Sequence, residues 1–383
     1  MKISGTHLAN ASKTIEINQM FNNYRHRFLK AGNACKDLIC TQEWPKEKLS
    51  IVLELAAEMK QSRFSDEWAD VLAMRTVLLL FCNSSTRTRL SFETAITELG
   101  AHPIFMSSGM GWFPTPERKG ESIEDSAQVV SGYVAGMGIR LGFHEYGYYG
   151  EGNSIIREYA KWATVPVINM ADDKFHPCQG LADVMAWMEW FGNKSTQKLD
   201  LNSLSRKTIL FTWAQGSQGG EKGSARPWNS IQESLLIASR FGMNIILARP
   251  DGYDLDPEVY RWVTENCEKC ETTFVVVNDS LTGYEHADVV YSRNWASSDA
   301  YQNGSFQRKS EVEKAAFHSG WITTVEKMAL TNNAIFTHPM PVDRGAEVVD
   351  EVASGPNSVI YQVAKNRLHV QKALVALLCA PTE

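Results

Sequence analysis

Hydrophobic positions follow two different periods along the chain, one typical of strands and one typical of helices. Short apolar runs rich in valine, isoleucine and leucine predict strands, at residues 75–82, 102–107, 134–141, 165–170, 207–214, 243–248, 272–278, 288–292, 333–338 and 358–361. Between most of these runs the apolar residues recur at helical spacing, which predicts helices at 87–99, 122–133, 153–163, 179–192, 228–241 and 256–270. This alternation indicates an α/β protein with doubly wound parallel sheets covered on both faces by helices.

The two ends of the chain differ from this pattern. The first thirty or so residues are polar and mixed, and we expect a loosely ordered extension, followed by helical spacing from Glu43 to Met59. The segment from Gln362 to Ala380 predicts a long amphipathic helix. A polar stretch at 192–207 is predicted to be a loop within a domain.

The length of 383 residues favours two domains. We expect one domain at 1–165 and a second at 166–350. The amphipathic segment at 360–383 is expected to pack back on the first domain.

Charge and hydrophobicity limit the kinds of partner. The net charge of −6 gives no electrostatic reason to expect binding to nucleic acid or to an acidic membrane. The longest apolar run, near Val77 to Cys82, is far shorter than a bilayer span. The N-terminal sequence MKISGTHLANASK lacks the apolar core of a secretory signal, so we expect a cytoplasmic protein.

The cysteines predict thiols rather than disulfides, because there are seven of them and they are scattered along the chain. Cys267 and Cys270 form one C-x-x-C pair, but no second pair accompanies them. We therefore expect ordinary thiols there and no metal site.

The segment FCNSSTRTRLSFETA, residues 81–95, is the most informative part of the sequence. A predicted strand ends at Cys82, a short polar turn follows, and a predicted helix begins. The unpaired N–H groups and partial positive charge at a helix N-terminus bind phosphate. Four side chains can add donors to that site, namely Ser85, Thr86, Arg87 and Thr88. On its own, a capped helix with exposed arginines explains the segment equally well.

The run S-T-R-T-R-x-S-F-E in this segment resembles the phosphate-binding signature of the aspartate and ornithine carbamoyltransferase family. Further motifs of that family follow in the same order, namely Gly138-Ile139-Arg140, His176-Pro177-Cys178-Gln179, His338-Pro339-Met340-Pro341 and Asn366-Arg367. The resemblance implies two doubly wound parallel-sheet domains of that family's type. It also implies an enzyme that moves the carbamoyl group of carbamoyl phosphate to an amine without a metal, a nucleotide or another cofactor.

The resemblance also implies roles for individual residues. Ser85, Thr86, Arg87 and Thr88 would hold the phosphate. Thr88, Arg140 and His176 would converge on the carbonyl oxygen. The carbamoyl NH₂ group would be bound by Gln179 and by backbone carbonyls near Pro339 and Met340, with Arg367 close by. His176 could act as a neutral donor or as an imidazolium, and a buried histidine that caps the next helix is the alternative.

Two further positions imply active sites that are shared between subunits, usually in a homotrimer. Lys119, in Lys119-Gly120-Glu121-Ser122, resembles a residue in the loop that aspartate carbamoyltransferases insert into a neighbouring site. Trp112 resembles a loop tryptophan that N-acetylornithine carbamoyltransferases use in the same way. A solvated lysine and a tryptophan that covers the core are the alternatives.

The amine that accepts the carbamoyl group is less clearly indicated. The segments KMALTNNAIFTHPMP and AKNRLHVQKALVAL, with the helix start that contains Asn229 and Ser230, resemble the N-acetylornithine and N-succinylornithine carbamoyltransferases. Those groups have a knotted second domain, which this sequence could share. Pro339 and Met340 depart from the cysteine and leucine of the ornithine branches, and HPMPVDRG resembles the aspartate branch.

A glycine-rich loop at 214–228 lies where the acceptor should bind. Lys222 and Arg226 in this loop, together with Arg293, could bind an acceptor carboxylate, and a flexible spacer is the alternative. Arg293 stands where the related branches have lysine. The acceptor could be an N-acylated ornithine or ornithine, which would suit arginine biosynthesis, or aspartate or another small amine. A catalytically silent paralogue that binds carbamoyl phosphate is a further alternative, although the complete motif set argues against it.

Overall fold

Two parallel sheets, one of four strands and one of five, form the frame of the protein. The computed structural model describes residues 19–32, 36–107, 121–141, 147–196, 198–216, 226–301 and 308–381. The first sheet has the order β2-β1-β3-β4, with β1 at Thr76–Phe81, β2 at His102–Ser107, β3 at Gly136–Arg140 and β4 at Val167–Ala171. The second has the order β7-β6-β5-β8-β9, with β5 at Thr208–Trp213, β6 at Asn244–Ala248, β7 at Phe274–Val277, β8 at Val289–Arg293 and β9 at Ile335–Thr337.

Helices connect successive strands. A first helix, α1, covers 19–30. It is followed by α2 at Lys46–Gln61, α3 at Thr86–Glu98, α4 at Ile123–Ser131, α5 at Glu151–Trp162, α6 at Pro177–Phe191, α7 at Asn229–Arg240, α8 at Pro257–Cys270, α9 at Arg308–Ala315, α10 at Val325–Ala329, α11 at Asp350–Ala353 and α12 at Ile360–Cys379. Short 3-10 helices lie at Thr41–Glu43, Asp66–Trp68, Ser298–Tyr301 and Ala316–Trp321. In the described part of the chain, no helix is long and apolar enough to cross a membrane.

The predicted α/β architecture is confirmed, and every predicted strand but the last corresponds to an observed one. The strand predicted at 358–361 is wrong. Ser358 makes a single bridge to Phe336, and the chain enters α12 at Ile360. Val359 and Ile360 are fully or almost fully buried at the start of this helix. Their β-branched side chains therefore serve helix packing rather than a sheet.

The loosely ordered N-terminal extension is also wrong for residues 19–30, which form α1. Phe21 and Phe28 are buried on one face of this helix, and the Phe28 ring lies 5.3 Å from that of Trp44. Arg25 donates to the carbonyl oxygen of Ala380 at 2.7 Å. This helix therefore joins the core and contacts the end of α12.

The change from one sheet to the other comes after β4. The predicted domain boundary at residue 165 falls before β4, which pairs with β3 in the first sheet. The last helix, α12, packs against α2, α3 and α6. The side chain of Lys372 on α12, for example, lies 3.1 Å from Glu98 Oε2 on α3. The knot that the resemblance implies stays a prediction.

Strand register brings the loops that follow the strands together. Phe81 pairs with Arg140 and Arg140 pairs with Ala171, so the turns after β1, β3 and β4 leave one edge of the first sheet. In the second sheet Trp213 pairs with Arg293 in the same way. Ligands of open parallel sheets bind at such carboxyl edges.

Candidate active site

A cavity of about 440 Å³ lies among the segments that follow β1, β3, β4, β5, β8 and β9, with one side chain added from α12. It is lined by every predicted site residue that the structure describes, namely Ser85, Thr86, Arg87, Thr88, Arg140, His176, Gln179, Arg226, Asn229, Ser230, Arg293, Pro339, Met340 and Arg367. Lys119, Trp112 and Lys222 lie outside the described residues. Side chains that are far apart in the sequence thus meet in one space.

The start of α3 forms one end of the cavity. Ser85 precedes the helix in an extended conformation, and its side chain makes no capping hydrogen bond. The first turn contains no acidic residue, so the backbone N–H groups face no competing carboxylate from the helix itself. Burial and the nearby Arg226 lower the pKa of Arg87. This end therefore offers backbone and hydroxyl donors together with positive charge, which suits a phosphate.

Two arginines converge on Thr88, which is almost fully buried. Its Oγ1 accepts from Arg367 Nη2 at 3.1 Å and lies 3.4 Å from Arg140 Nη1. The two guanidinium groups come from α12 and from the end of β3. The arrangement concentrates donors at the boundary between the phosphate end and the centre of the cavity.

Gln179 lies beside this group, in the first turn of α6. Its Oε1 accepts from Arg367 Nη1 at 2.7 Å, and its Nε2 donates to Asp183 Oδ1 at 2.8 Å. Burial lowers the pKa of Arg367 to about 10, so this arginine stays charged at neutral pH. Asp183 was not predicted. Its position four residues after Gln179 on the same helix face is the signal that could have identified it.

His176 immediately precedes α6 and makes no side-chain capping bond to that helix, so the capping alternative is wrong. The side chain is 7% exposed. Burial, together with Arg367 and Arg140, moves the pKa of His176 well below its ordinary value. Protonation would place a third positive charge in a buried group of arginines, and the imidazole is therefore neutral.

Asp172, which sequence analysis missed, shapes the loop that contains His176. Its Oδ1 accepts from the backbone N–H groups of Lys174 at 2.7 Å and Phe175 at 2.6 Å. Its Oδ2 accepts from Asn153 at 2.7 Å and from Asn169 at 2.8 Å. Burial and the neighbouring Asp173 raise the pKa of Asp172. An Asp followed by such backbone donors is an Asx-turn signal.

The HPMP loop after β9 closes another side of the cavity. His338 Nδ1 accepts from the backbone N–H of Met340 at 2.9 Å, and His338 Nε2 lies 3.0 Å from Glu347 Oε2. Burial alone would raise the pKa of Glu347, but contacts with His338 and nearby arginines lower it to about 2. The ionised Glu347, also missed from the sequence, holds this loop by accepting from the N–H of Asp343 at 2.7 Å.

Another part of the cavity wall contains Arg226 and Arg293. Arg226 forms an ion pair with Asp343 at 2.9 Å. Arg293, at the end of β8, is only 5% exposed, and its Nε and Nη1 have no hydrogen-bond partner among the described residues. Burial, followed by the charge of Arg226, lowers the pKa of Arg293. Buried arginine nitrogens without a partner suit an anionic ligand.

Asn229 and Ser230 line the cavity at the start of α7. Asn229 Nδ2 donates to the backbone carbonyl of Asp172 at 2.5 Å, and Ser230 Oγ donates to Asn229 Oδ1 at 3.1 Å. The hydrogen bond from Asn229 to Asp172 links the loop after β4 to α7, the helix that follows the first strand of the second sheet. The two residues therefore connect the halves of the cavity.

Comparisons with known proteins agree with this arrangement. The family model described as "Aspartate/ornithine carbamoyltransferase, carbamoyl-P binding domain" matches residues 36–189, and the one described as "Aspartate/ornithine carbamoyltransferase, Asp/Orn binding domain" matches residues 225–378. An ornithine carbamoyltransferase of Thermococcus kodakarensis is 32% identical over 90% of this chain and 96% of its own length. An N-acetylornithine carbamoyltransferase of Xylella fastidiosa is 32% identical over 91% of this chain and 99% of its own length.

A solved structure shows the same similarity. The crystal structure of an acetylornithine transcarbamylase complexed with acetylcitrulline matches with a TM-score of 0.79 at 30% identity, over 90% of this chain and 99% of its own. The two family models together include every residue that lines the described cavity. The chain therefore belongs to the aspartate/ornithine carbamoyltransferase family and is a carbamoyltransferase.

Proposed function

We propose that this carbamoyltransferase moves the carbamoyl group of carbamoyl phosphate to the side-chain amine of an ornithine-type amino acid whose α-amine is acylated. One observation favours this function above all. A single cavity joins a phosphate-binding helix start to a buried arginine, Arg293, whose Nε and Nη1 have no partner among the described residues. The first feature suits the donor, and the second suits the carboxylate of the acceptor.

At the donor end, the helix start and the side chains of Ser85, Thr86 and Arg87 bind the phosphate group. Thr88, Arg140 and His176 donate hydrogen bonds to the carbonyl oxygen, where negative charge develops as the amine attacks. His176 donates as a neutral imidazole, in agreement with its lowered pKa.

The carbamoyl NH₂ group is held by acceptors on the other side. Gln179 Oε1 and the backbone carbonyls of Pro339 and Met340 accept from it, and Arg367 supports the Gln179 side chain through their 2.7 Å hydrogen bond. In the reaction, a bond forms between the amine nitrogen and the carbonyl carbon, and the bond from that carbon to the phosphate oxygen breaks. The nitrogen loses its proton, and the departing phosphate accepts it.

At the acceptor end, Arg293 binds the acceptor carboxylate, and Arg226 and Lys222 assist it. Asp172 is the only acidic residue that lines the described part of the cavity. Both of its oxygens already accept hydrogen bonds within the protein. No described lining carboxylate is left to pair with a free α-ammonium, and a buried ammonium without a partner is unfavourable. An acylated α-amine, which is neutral, avoids this cost.

An amino dicarboxylate such as aspartate is the second candidate. Arg226 and Arg293 are close enough for the charge of one to lower the pKa of the other, so the pair could bind two carboxylates. The ion pair between Arg226 and Asp343 favours the first candidate, because it already occupies one of the two guanidinium groups.

The oligomer and the division of labour between the domains belong to the same proposal. The first domain binds carbamoyl phosphate and the second binds the acceptor, in a cytoplasmic enzyme of arginine biosynthesis. We propose a homotrimer in which Trp112 and Lys119 reach a neighbouring site. Exposed apolar side chains on α3, on β2, on α4 and in the turn after α4 support an interface, namely Leu90, Ile104, Val129 and Tyr133. Sedimentation equilibrium tests the trimer, and a monomer would contradict it.

A labelled-donor assay tests the acceptor. The protein is incubated with radiolabelled carbamoyl phosphate and ornithine, N-acetylornithine, N-succinylornithine or aspartate, and carbamoylated product and phosphate are measured. We expect product with an N-acylated ornithine and little with ornithine itself. Product with aspartate alone would replace the first candidate by the second. Absence of product with every amine, despite binding of carbamoyl phosphate, would favour the silent paralogue.

A further inference from the structure

We propose that Asp183 is a positioning residue that determines which way the Gln179 amide faces in the carbamoyl site. The inference rests on the proposed function of the cavity. Gln179 and Asp183 lie one helical turn apart on α6, and both are almost completely buried. Gln179 Nε2 donates to Asp183 Oδ1 at 2.8 Å, and Gln179 Oε1 accepts from Arg367 Nη1 at 2.7 Å. The amide is therefore held at both of its ends.

The chemistry of the two partners makes this orientation specific. A guanidinium group only donates hydrogen bonds, and an ionised carboxylate only accepts them. Rotation of the Gln179 amide by half a turn would bring its NH₂ group against Arg367 and its oxygen against Asp183. With Asp183 ionised, both contacts would then be repulsive. The observed orientation presents an acceptor oxygen to the cavity, which is the group that a carbamoyl NH₂ requires.

A second hydrogen bond holds Asp183 itself. Ser234 Oγ, on α7, donates to Asp183 Oδ2 at 2.6 Å, and the same hydroxyl lies 3.4 Å from the hydroxyl of Tyr291 on β8. Burial raises the pKa of Asp183 to about 7. In the protonated form the proton can sit on Oδ2 and be donated to Ser234, so Oδ1 accepts from Gln179 in both forms.

A purely structural role would not require a carboxylate at this position. Asp183 is fully buried, and a buried carboxylate is unfavourable for folding compared with an apolar side chain of similar volume. A leucine would fill the space between α6 and α7 but would leave Gln179 Nε2 without an acceptor. The expected consequence is an amide that samples both orientations, one of which opposes the carbamoyl group.

Matched substitutions test the inference. Asp183→Leu removes the acceptor, whereas Asp183→Asn keeps an oxygen that can face Gln179 while its NH₂ donates to Ser234. Kinetics with carbamoyl phosphate are compared with inhibition by inorganic phosphate, which has no NH₂ group. We expect Asp183→Leu to lower kcat/KM for carbamoyl phosphate by about 10- to 100-fold and to leave phosphate inhibition within about twofold. For Asp183→Asn, kcat/KM for carbamoyl phosphate should stay within about fivefold of the wild-type value.

A double substitution keeps the inference testable if Asp183→Leu does not fold. When Ser234→Ala is combined with Asp183→Asn, nothing fixes the direction of the asparagine amide. The double variant should therefore lose more activity than the two single variants predict together. If the double variant kept nearly wild-type activity and the effects of the two substitutions were additive, the inference would be overturned. It would also be overturned if Asp183→Leu weakened inhibition by inorganic phosphate as much as it lowered kcat/KM for carbamoyl phosphate. A wild-type protein that neither binds carbamoyl phosphate nor transfers its carbamoyl group would instead overturn the proposed function itself.

Discussion

The donor end and the acceptor end of the cavity hold their arginines in different ways. Arg367 at the donor end and Arg293 at the acceptor end are 4% and 5% exposed, so burial does not distinguish them. Arg367 donates to Gln179 and Thr88 through two of its nitrogens. Arg293 leaves Nε and Nη1 without a partner in the described part of the chain. The two terminal nitrogens of Arg367 therefore have protein acceptors, whereas two nitrogens of Arg293 are left for a ligand.

This difference follows from what each end must do. Most residues of the donor end lie in the part of the chain that matches the carbamoyl-P binding domain model. A rigid network there places hydrogen-bond donors where charge develops, without reorganisation at the moment of reaction. The acceptor differs between relatives, which include ornithine and N-acetylornithine carbamoyltransferases. Two buried guanidinium donors without a protein acceptor make binding depend on a carboxylate in one place, because among the described residues nothing else satisfies them. Substitutions at the donor end should therefore affect mainly catalysis, and substitutions at the acceptor end mainly binding of the acceptor.

The largest effect is expected from breaking the donor end at Arg140. Replacement by alanine removes a cationic donor from the carbonyl oxygen, and we expect kcat to fall by about 10²- to 10³-fold. For Arg140→Lys, which keeps the charge but not the planar geometry of the guanidinium group, kcat should fall less. Steady-state kinetics at saturating acceptor measure both. If a folded Arg140→Ala protein kept the wild-type kcat, the proposed role of this residue would be wrong.

The acceptor end should respond differently to the loss of Arg293. Arg293→Met should raise the KM for the acceptor by roughly 10- to 100-fold and leave the KM for carbamoyl phosphate within about twofold. Because the variant removes two buried N–H donors that lack acceptors in the described part of the chain, the ligand-free protein should also melt at a higher temperature. Arg206→Met, at an exposed position, is the control for loss of charge. A lower melting temperature for Arg293→Met would indicate a structural role instead.

The contact between the two halves supplies a third test, at Glu233 on α7. Its Oε1 accepts from the backbone N–H of Thr41 at 3.0 Å and also contacts the Thr41 hydroxyl. Burial raises the pKa of Glu233 to about 8. The folded state therefore retains a proton that the unfolded state has lost near pH 4.5. The resulting stabilisation is complete below that pH, declines as the pH rises toward 8, and is absent above it.

Glu233→Gln should remove this part of the pH dependence. One pKa unit corresponds to about 1.4 kcal/mol, so the wild type should lose on the order of a few kcal/mol of unfolding free energy between pH 5 and pH 9. The variant should lose correspondingly less. Urea unfolding at both pH values measures the difference, with Glu268→Gln on the exposed side of α8 as control. Parallel losses in the variant and the wild type would show that Glu233 is ionised in the folded protein.

The same contrast explains how much of the molecule was predictable. Most of the donor residues lie in short motifs after strands, and the resemblance of these motifs to those of a known family was what predicted that they meet. At the acceptor end, which residues lie close together depends on which strands are neighbours in the second sheet. The pairing of β5 with β8 brings the segment after Trp213 beside Arg293, and no local pattern specifies it. The ion pair between Arg226 and Asp343 joins residues of two such loops.

Buried acidic residues were missed for a related reason. Asp172, Asp183 and Glu347 read as ordinary polar positions, because nothing in the sequence says that they lie in the interior. Their importance comes from hydrogen bonds to loops and side chains, such as those from Ser234 and from the N–H of Asp343. The helix α1 was missed because its buried phenylalanines are few among polar residues. Tertiary contacts, which no local sequence pattern shows, determine that these acidic residues are buried and that α1 forms.

The smallest effect concerns His176, where the prediction is that nothing titrates. Burial and the surrounding arginines move the pKa of His176 well below its ordinary value, so the ring should stay neutral while the pH falls from 8 to 6. With ¹⁵N-labelled histidine, the ring signals that disappear in His176→Asn should keep the chemical shifts of a neutral imidazole over this range. The urea-unfolded protein is the control, because its histidines titrate near pH 6.5. An imidazolium signal at pH 6 would mean that an anion already lies among these arginines, and that the donor end, like the acceptor end, needs its ligand to be complete.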